Sequence, residues 1–217
     1  MRVFPFLLLS LPVFAQAPVN SIHPTIKQIV ESVSGERIQS TLEKLESFGT
    51  RHILSSQDDP KQGIGAARKW IFEQFSSFSP RLQVRFDTHL IAKQRRVFRD
   101  VEIHNVVAVL PGKTNPEAQI LISGHYDSLS IVRKPAVAGV TGPPQMDDEK
   151  TAAAVAPGVN DDGSGTAAVL ELARVLSQHE FDKTLVFVAF AAVFSSSICG
   201  GPVTPATAGF RTMLSES

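Results

Sequence analysis

The sequence predicts an α/β fold, in which a mostly parallel mixed sheet is flanked by helices. Residues 119–123 (QILIS) and 184–192 (TLVFVAFAA) are continuous apolar runs, as expected of strands buried on both faces of a sheet. Between them, residues 165–177 predict an amphipathic helix. A strand, a helix and a strand in this order form a βαβ unit, whose two strands are parallel. The residues predicted to face inward from this helix are Ala168, Val169, Leu172, Val175 and Leu176.

The N-terminal half predicts two amphipathic helices, over residues 36–48 and 62–78, from apolar residues at helical spacing. Alternating apolar residues then predict a strand over 81–89, and VEIHNVVAVL predicts another over 101–110. The segment 129–157 is rich in Ala, Pro, Gly and charge and predicts a surface loop overhanging a site. We expect residues 16–100 and 101–192 to form one domain, with the α/β core in the second part and a low-complexity tail at 193–217.

Composition excludes some functional classes. The chain has 217 residues, of which 43% are hydrophobic, enough for one ordinary core. Lys+Arg and Asp+Glu both total 21, so no basic field predicts nucleic-acid binding. Cys199 is the single cysteine, which rules out an intrachain disulfide, and it lacks the histidine partner that a catalytic thiol needs.

The N-terminus predicts a secretory signal peptide over residues 1–15. Arg2 is followed by an apolar run from Val3 to Phe14, and small residues allow cleavage after Ala15, so that the mature chain begins at Gln16. The apolar run is too short to span a bilayer. We therefore expect a secreted or periplasmic protein without a stable membrane anchor.

Two polar motifs lie at the ends of predicted elements: the first follows a predicted strand, and the second opens the predicted helix. His125-Tyr126-Asp127-Ser128 comes directly after the first apolar strand, where Gly124 is expected to let the backbone leave the sheet. In open α/β sheets, ligands gather at the carboxyl ends of the strands. Because side chains two apart point to the same side, Asp127 can hold the ring nitrogen of His125 that does not face a metal.

The second motif, residues 160–165 (NDDGSG), has two interpretations. The positive end of the helix dipole favours an ionised Asp161, and an ionised carboxylate can bridge two cations. Alternatively, Asn160, Asp161 or Asp162 simply caps the helix by accepting from its free N–H groups. His125 taken alone is also compatible with a structural role.

In combination and in this order, the motifs resemble the M28 family of zinc aminopeptidases. Further likeness lies in residues 46–52 (ESFGTRH) and 105–112 (NVVAVLPG), so the resemblance covers roughly residues 36–192. It implies a site with two zinc ions that hydrolyses the N-terminal bond of peptides with a free N-terminus. It also implies that His125 ligates one zinc, that Asp127 orients His125, and that Asp161 bridges both ions.

The chain departs from this pattern directly after the last predicted strand. The family has two consecutive glutamates there, a general base and a zinc ligand, whereas this chain has Val193 and Phe194. Of about five metal-binding side chains that such a site needs, only His125 and Asp161 are recognisable. We therefore expect weak or no zinc binding and no activity, and we hypothesise a reading frame interrupted near residue 192 by a frameshift, a splice or a gene-model error.

Two alternatives to the aminopeptidase function remain open at this point. In the first, the chain is a non-catalytic remnant that binds a peptide or a partner. A closer rival is another co-catalytic zinc hydrolase of similar architecture, of the carboxypeptidase or glutaminyl cyclase type. Zinc titration separates the remnant from the aminopeptidase, and a substrate panel separates the enzymes.

Overall fold

A computed structural model describes residues 22–94, 96–139 and 141–192. The predicted signal peptide and the tail, with Val193, Phe194 and Cys199, lie outside the described residues. The chain divides into two compact units at Ser32. The described part of the first unit contains helix α1, Pro24–Glu31, which begins with proline and is capped by the His23 ring. Within the described ranges, every helix is too short or too polar to cross a bilayer.

The second unit contains a four-stranded sheet in the order β1-β2-β4-β3. Strands β3 and β4 are parallel, and β2 is antiparallel to both β1 and β4. The strands are β1 (Gln83–Ile91), β2 (Val101–Leu110), β3 (Asn115–His125) and β4 (Lys183–Phe190). The helices are α2 (Gly35–Ser47), α3 (Gly63–Phe78), α4 (Asp148–Ala153) and α5 (Ser164–Leu176), and an irregular turn, Val159–Gly163, precedes α5.

The predicted α/β fold with a mixed sheet flanked by helices is confirmed, but the described sheet is not mostly parallel, since only β3 and β4 pair in parallel. The βαβ unit is β3, α5 and β4, and the two strands pair in parallel from Gln119 opposite Thr184 to His125 opposite Phe190. The predicted helices over 36–48 and 62–78 correspond to α2 and α3 within about a residue at each end. The main core lies between the helices and the sheet and includes Leu45, Ile71, Phe75, Val106, Tyr126, Leu170 and Phe187.

The prediction that β3 is buried on both faces is wrong. Among the described strands β3 lies at the edge of the sheet, and Ile120 and Leu121 are 46% and 37% exposed. Gly124 does not release the chain from the sheet either, since it pairs with Ala189. Its missing side chain instead allows α5 to approach, because a Cβ there would lie 2.6 Å from the carbonyl carbon of Gly165.

Two further predictions need correction. The inward face of α5 is predicted only in part: Val169 and Val175 are buried, whereas Ala168 is exposed and Leu172 and Leu176 are only half-buried. The helix packs against the sheet on one side and against α2 and α3 on another, so its buried surface is wider than one stripe. The segment 129–157 is not all loop, because it contains α4, whose first turn is capped by Asp147 through the Lys150 amide.

Candidate metal centre

The end of β3 places His125 and Asp127 on the same side of the chain. Tyr126 between them is fully buried and donates its hydroxyl hydrogen to the His104 carbonyl at 2.8 Å. Because side chains alternate, the residues on either side of Tyr126 turn away from the core. His125 Nδ1 and Asp127 Oδ1 form a hydrogen bond of 3.0 Å, which is the contact expected from their spacing.

The two acidic residues of the second motif have different partners. Asp161 Oδ1 lies 3.0 Å from His125 Nε2, and the Asp161 side chain is 90% exposed. Asp162 accepts from the Gly165 amide at 2.9 Å through Oδ1 and from the His125 amide at 3.1 Å through Oδ2. Asp162 therefore provides the helix cap, whereas Asp161 faces the imidazole and the solvent, as a residue able to bind a cation would.

The carboxylates make this site electronegative. The hydrogen bond that His125 donates to Asp127 raises the pKa of His125 above 6.5. Desolvation opposes this increase, and the charges of Asp127, Asp162 and Asp161 add to it. Burial raises the pKa of Asp127, which its hydrogen bond with His125 and the charge of Arg51 partly offset. Since Nδ1 is engaged by Asp127, Nε2, which faces Asp161, is the ring nitrogen available to a bound cation.

Arg51 was not singled out by sequence reasoning beyond its place in the ESFGTRH segment. Arg51 is completely buried, and its guanidinium donates hydrogen bonds to the backbone carbonyls of Tyr126 and Gly158 on either side of the site. Desolvation lowers the pKa of Arg51 to about 10, and the charge of Asp127 acts in the opposite direction. A single arginine in a loop has no periodic pattern, so the only available signal was the segment itself.

The described residues fit half of a zinc site. Within the described ranges, no three His, Cys, Asp or Glu side chains come together as a metal-binding group. His125 and Asp161 are the two candidate donors, and a zinc ion normally needs at least three protein ligands. The remaining ligands expected from the family pattern would follow β4, outside the described residues.

Comparison with known proteins identifies the family. Residues 105–192, which run from β2 through both motifs to the end of β4, match the model of peptidase family M28. Over these residues the chain belongs to peptidase family M28. The M28 chain is 38% identical over 163 residues to a probable zinc metalloprotease of Pyricularia oryzae, covering 73% of this chain and 29% of the relative. A probable zinc metalloprotease of Phaeosphaeria nodorum is 36% identical over 197 residues, covering 84% and 39%.

The M28 chain thus spans about a third of the length of the curated relatives it matches. Among solved structures, it resembles the glutaminyl cyclase of Macrostomum lignano with a TM-score of 0.53 and 17% identity, covering 85% of this chain and 47% of that one. The LapA aminopeptidase of Legionella pneumophila has a TM-score of 0.51 and 20% identity, covering 87% and 41%. At these identities the likeness shows the shared fold of the M28 chain and those enzymes, and nothing of its reaction.

Proposed function

We propose that the M28 chain carries half of the dinuclear zinc site of an aminopeptidase, which hydrolyses the N-terminal bond of peptides with a free N-terminus. The observation that supports this is the contact between the two loops: His125, held by Asp127, lies 3.0 Å from the exposed Asp161. The His125 loop lies at the carboxyl end of β3, and the Asp161 loop lies at the N-terminus of α5. In α/β proteins, ligands bind at the carboxyl ends of the strands.

The proposed roles follow from these positions. His125 would hold zinc through Nε2, because Nδ1 is already engaged by Asp127. Asp127 would orient the ring and increase its basicity, and Asp161, whose side chain is mostly open to solvent beside Nε2, would supply a second ligand at the two-zinc site. Asp162 would support the site by accepting a hydrogen bond from the His125 amide, and it would not be a metal ligand.

We further propose that the 217-residue chain by itself binds zinc weakly and does not hydrolyse peptides. Val193 and Phe194 occupy the positions of the family's two glutamates, and their apolar side chains can neither bind a metal nor accept a proton. The interrupted reading frame stays a prediction. Reading the underlying DNA in the other two frames should reveal a Glu-Glu pair and a later histidine, and their absence would refute the idea.

Zinc titration by calorimetry tests the ligand assignment. We expect weak binding by the wild type, a further loss in Asp161→Asn, and no change in the control Asp58→Asn, which alters another exposed carboxylate away from the motifs. The double variant Val193→Glu/Phe194→Glu should increase the affinity by about 10-fold or more, equivalent to about 1.4 kcal/mol for an added ligand. Equal binding by the wild type and Asp161→Asn would contradict the assignment.

A substrate panel tests the reaction. Aminoacyl amides, peptides with C-terminal side chains suited to carboxypeptidases, and N-terminal glutaminyl peptides are supplied separately to the wild type and to the double variant. We expect no turnover by the wild type and, if any activity is restored, release of N-terminal residues. Turnover of peptide amides by the wild type would refute inactivity, and cyclisation of glutaminyl peptides would assign the chain to the rival class.

A further inference from the structure

Arg51 is a buried cation without a direct carboxylate partner in the described structure. Its guanidinium donates instead to four backbone carbonyls, in agreement with its complete burial. The acceptors are Tyr126 O at 2.6 Å from Nε, Leu45 O and Pro157 O at 2.8 Å from Nη1, and Gly158 O at 3.0 Å from Nη2. Because burying a charge is costly, these four acceptors, which engage four of the five guanidinium N–H groups, are needed to hold an arginine in this position.

The four carbonyls belong to three separate parts of the fold. Tyr126 lies between His125 and Asp127, so its carbonyl belongs to the backbone that carries both side chains. Pro157 and Gly158 directly precede the turn that carries Asp161, and Leu45 belongs to α2. One rigid guanidinium thus connects the two loops that form the proposed site and anchors both to a helix.

Backbone contacts of Arg51 reinforce this connection. The Arg51 amide donates to Ser128 Oγ at 3.0 Å, and the Ser128 amide donates to the Arg51 carbonyl at 3.2 Å. Ser128 Oγ in turn donates to the Ala156 carbonyl at 2.7 Å. At Gly158, whose φ is +51°, a Cβ would lie 2.5 Å from Ser128 Cβ and 2.8 Å from Arg51 Nη2. The junction therefore has no room for a side chain at Gly158, which packs directly against Ser128 and Arg51.

Two amides report on this arrangement. The His125 amide donates to Asp162 Oδ2 at 3.1 Å, a bond that joins the two loops directly. The Gly163 amide donates to the Gly158 carbonyl at 2.9 Å and closes the turn that carries Asp161. The first bond requires the two loops to keep their present separation. The second lies within the Asp161 loop and depends on the position of the Gly158 carbonyl, which also accepts from Arg51 Nη2.

We propose that Arg51 is a positioning residue that sets the separation of the His125 loop from the Asp161 loop. Its importance for metal binding rests on the proposed function, but its effect on loop geometry does not. Arg51→Lys keeps the positive charge and removes the planar fork that reaches Tyr126, Pro157 and Gly158 together. The two loops should then open locally more often, while the rest of the core stays folded.

Amide hydrogen exchange measured by NMR on the metal-free full chain tests this. In Arg51→Lys, exchange at His125 and Gly163 should increase about 10-fold or more relative to a core amide such as that of Phe187. The control is Ile71→Val, a conservative change in the α3 core, which lowers global stability without touching the loops' hydrogen bonds. Exchange at the two reporter amides that rises no more than in the control would overturn the proposal.

A second measurement needs no variant, in case Arg51→Lys does not fold. In the wild type, the Arg51 Nε–H should exchange slowly and show a through-bond coupling to the Tyr126 carbonyl. A rapidly exchanging Nε–H would overturn the proposal. Zinc titration of Val193→Glu/Phe194→Glu separates this proposal from the proposed function. Faster exchange at the reporter amides in Arg51→Lys, together with no zinc binding by that double variant, would support the positioning role and refute the zinc site.

Discussion

Alanine at Gly158 should destabilise the protein more than alanine at Gly49, although both glycines have a left-handed backbone, with φ of +51° and +74°. At either position a Cβ in this region costs about 1–2 kcal/mol, and the stiffer unfolded chain returns about 0.4–1 kcal/mol. A Cβ at Gly49 meets nothing within 4 Å, so the net loss there should be about 1 kcal/mol.

At Gly158 the same Cβ would come within 2.5 Å of Ser128 Cβ and 2.8 Å of Arg51 Nη2. Ser128 Cβ is attached directly to a backbone held by hydrogen bonds, and the guanidinium is held by four carbonyls, so neither can move cheaply. Overpacking of this kind adds about 1–3 kcal/mol. The total loss at Gly158 should therefore be about 2–4 kcal/mol.

Urea unfolding measures both losses. Trp70 is the only tryptophan and lies half-buried in α3, so its fluorescence follows unfolding of the core, and far-UV circular dichroism checks that the transition has two states. The difference between the variants isolates the close contact, because the backbone cost is shared. If Gly158→Ala loses no more stability than Gly49→Ala, the tight packing of the Arg51 junction is refuted.

Two further predictions concern ionisation. In the metal-free protein, NMR titration should find the pKa of His125 above 6.5 in the wild type and closer to 6.5 in Asp127→Asn. Because the pKa is raised in the folded state, the contribution of His125 to stability is present below pH 6.5 and is lost as the pH rises through the folded pKa. A wild-type pKa at or below 6.5 would contradict this prediction. Burial would raise the pKa of Glu171, but hydrogen bonds from Arg174 and the Ser34 amide lower it below 4.5. The contribution of Glu171 to folding stability should therefore be lost as the pH falls through its pKa in the folded state. Glu171→Gln should cost about 1.5–3 kcal/mol in urea unfolding at pH 7 and flatten the loss of stability between pH 5 and 3; an unchanged acid profile would refute its role.

Elements with a strong local pattern were predicted well. Apolar residues of α2 and α3 recur at helical spacing because one face of each helix meets the core, and this spacing is visible in the sequence. Strand β2 covers the predicted residues. The apolar run of β4 lies between β2 and β3, where Phe187 and Val188 are fully buried. In each case the residues themselves carry the information, since the spacing of apolar residues in the two helices and the continuous apolar run of β4 match how each element is buried.

Predictions that depended on neighbouring elements were less successful. The apolar residues of β3 resemble those of β4, yet Ile120 and Leu121 are exposed because β3 lies at the edge among the described strands. The buried face of α5 could not be derived from one stripe, since sheet and helices cover it from different directions. Composition records that a residue is apolar, and the position of an element in the fold decides whether that residue is covered.

The sequence by itself determined the βαβ unit, the membership of the M28 pattern and the pairing of His125 with Asp127, since residues two apart at a strand end share one side. Only the tertiary structure decided that Asp162 caps α5 while Asp161 faces the imidazole, and that Arg51 joins the two loops. Arg51 is 75 positions from Tyr126 and 107 from Gly158. Hydrogen bonds between such distant residues exist only after the strands and helices have packed, so no local pattern in the chain encodes them.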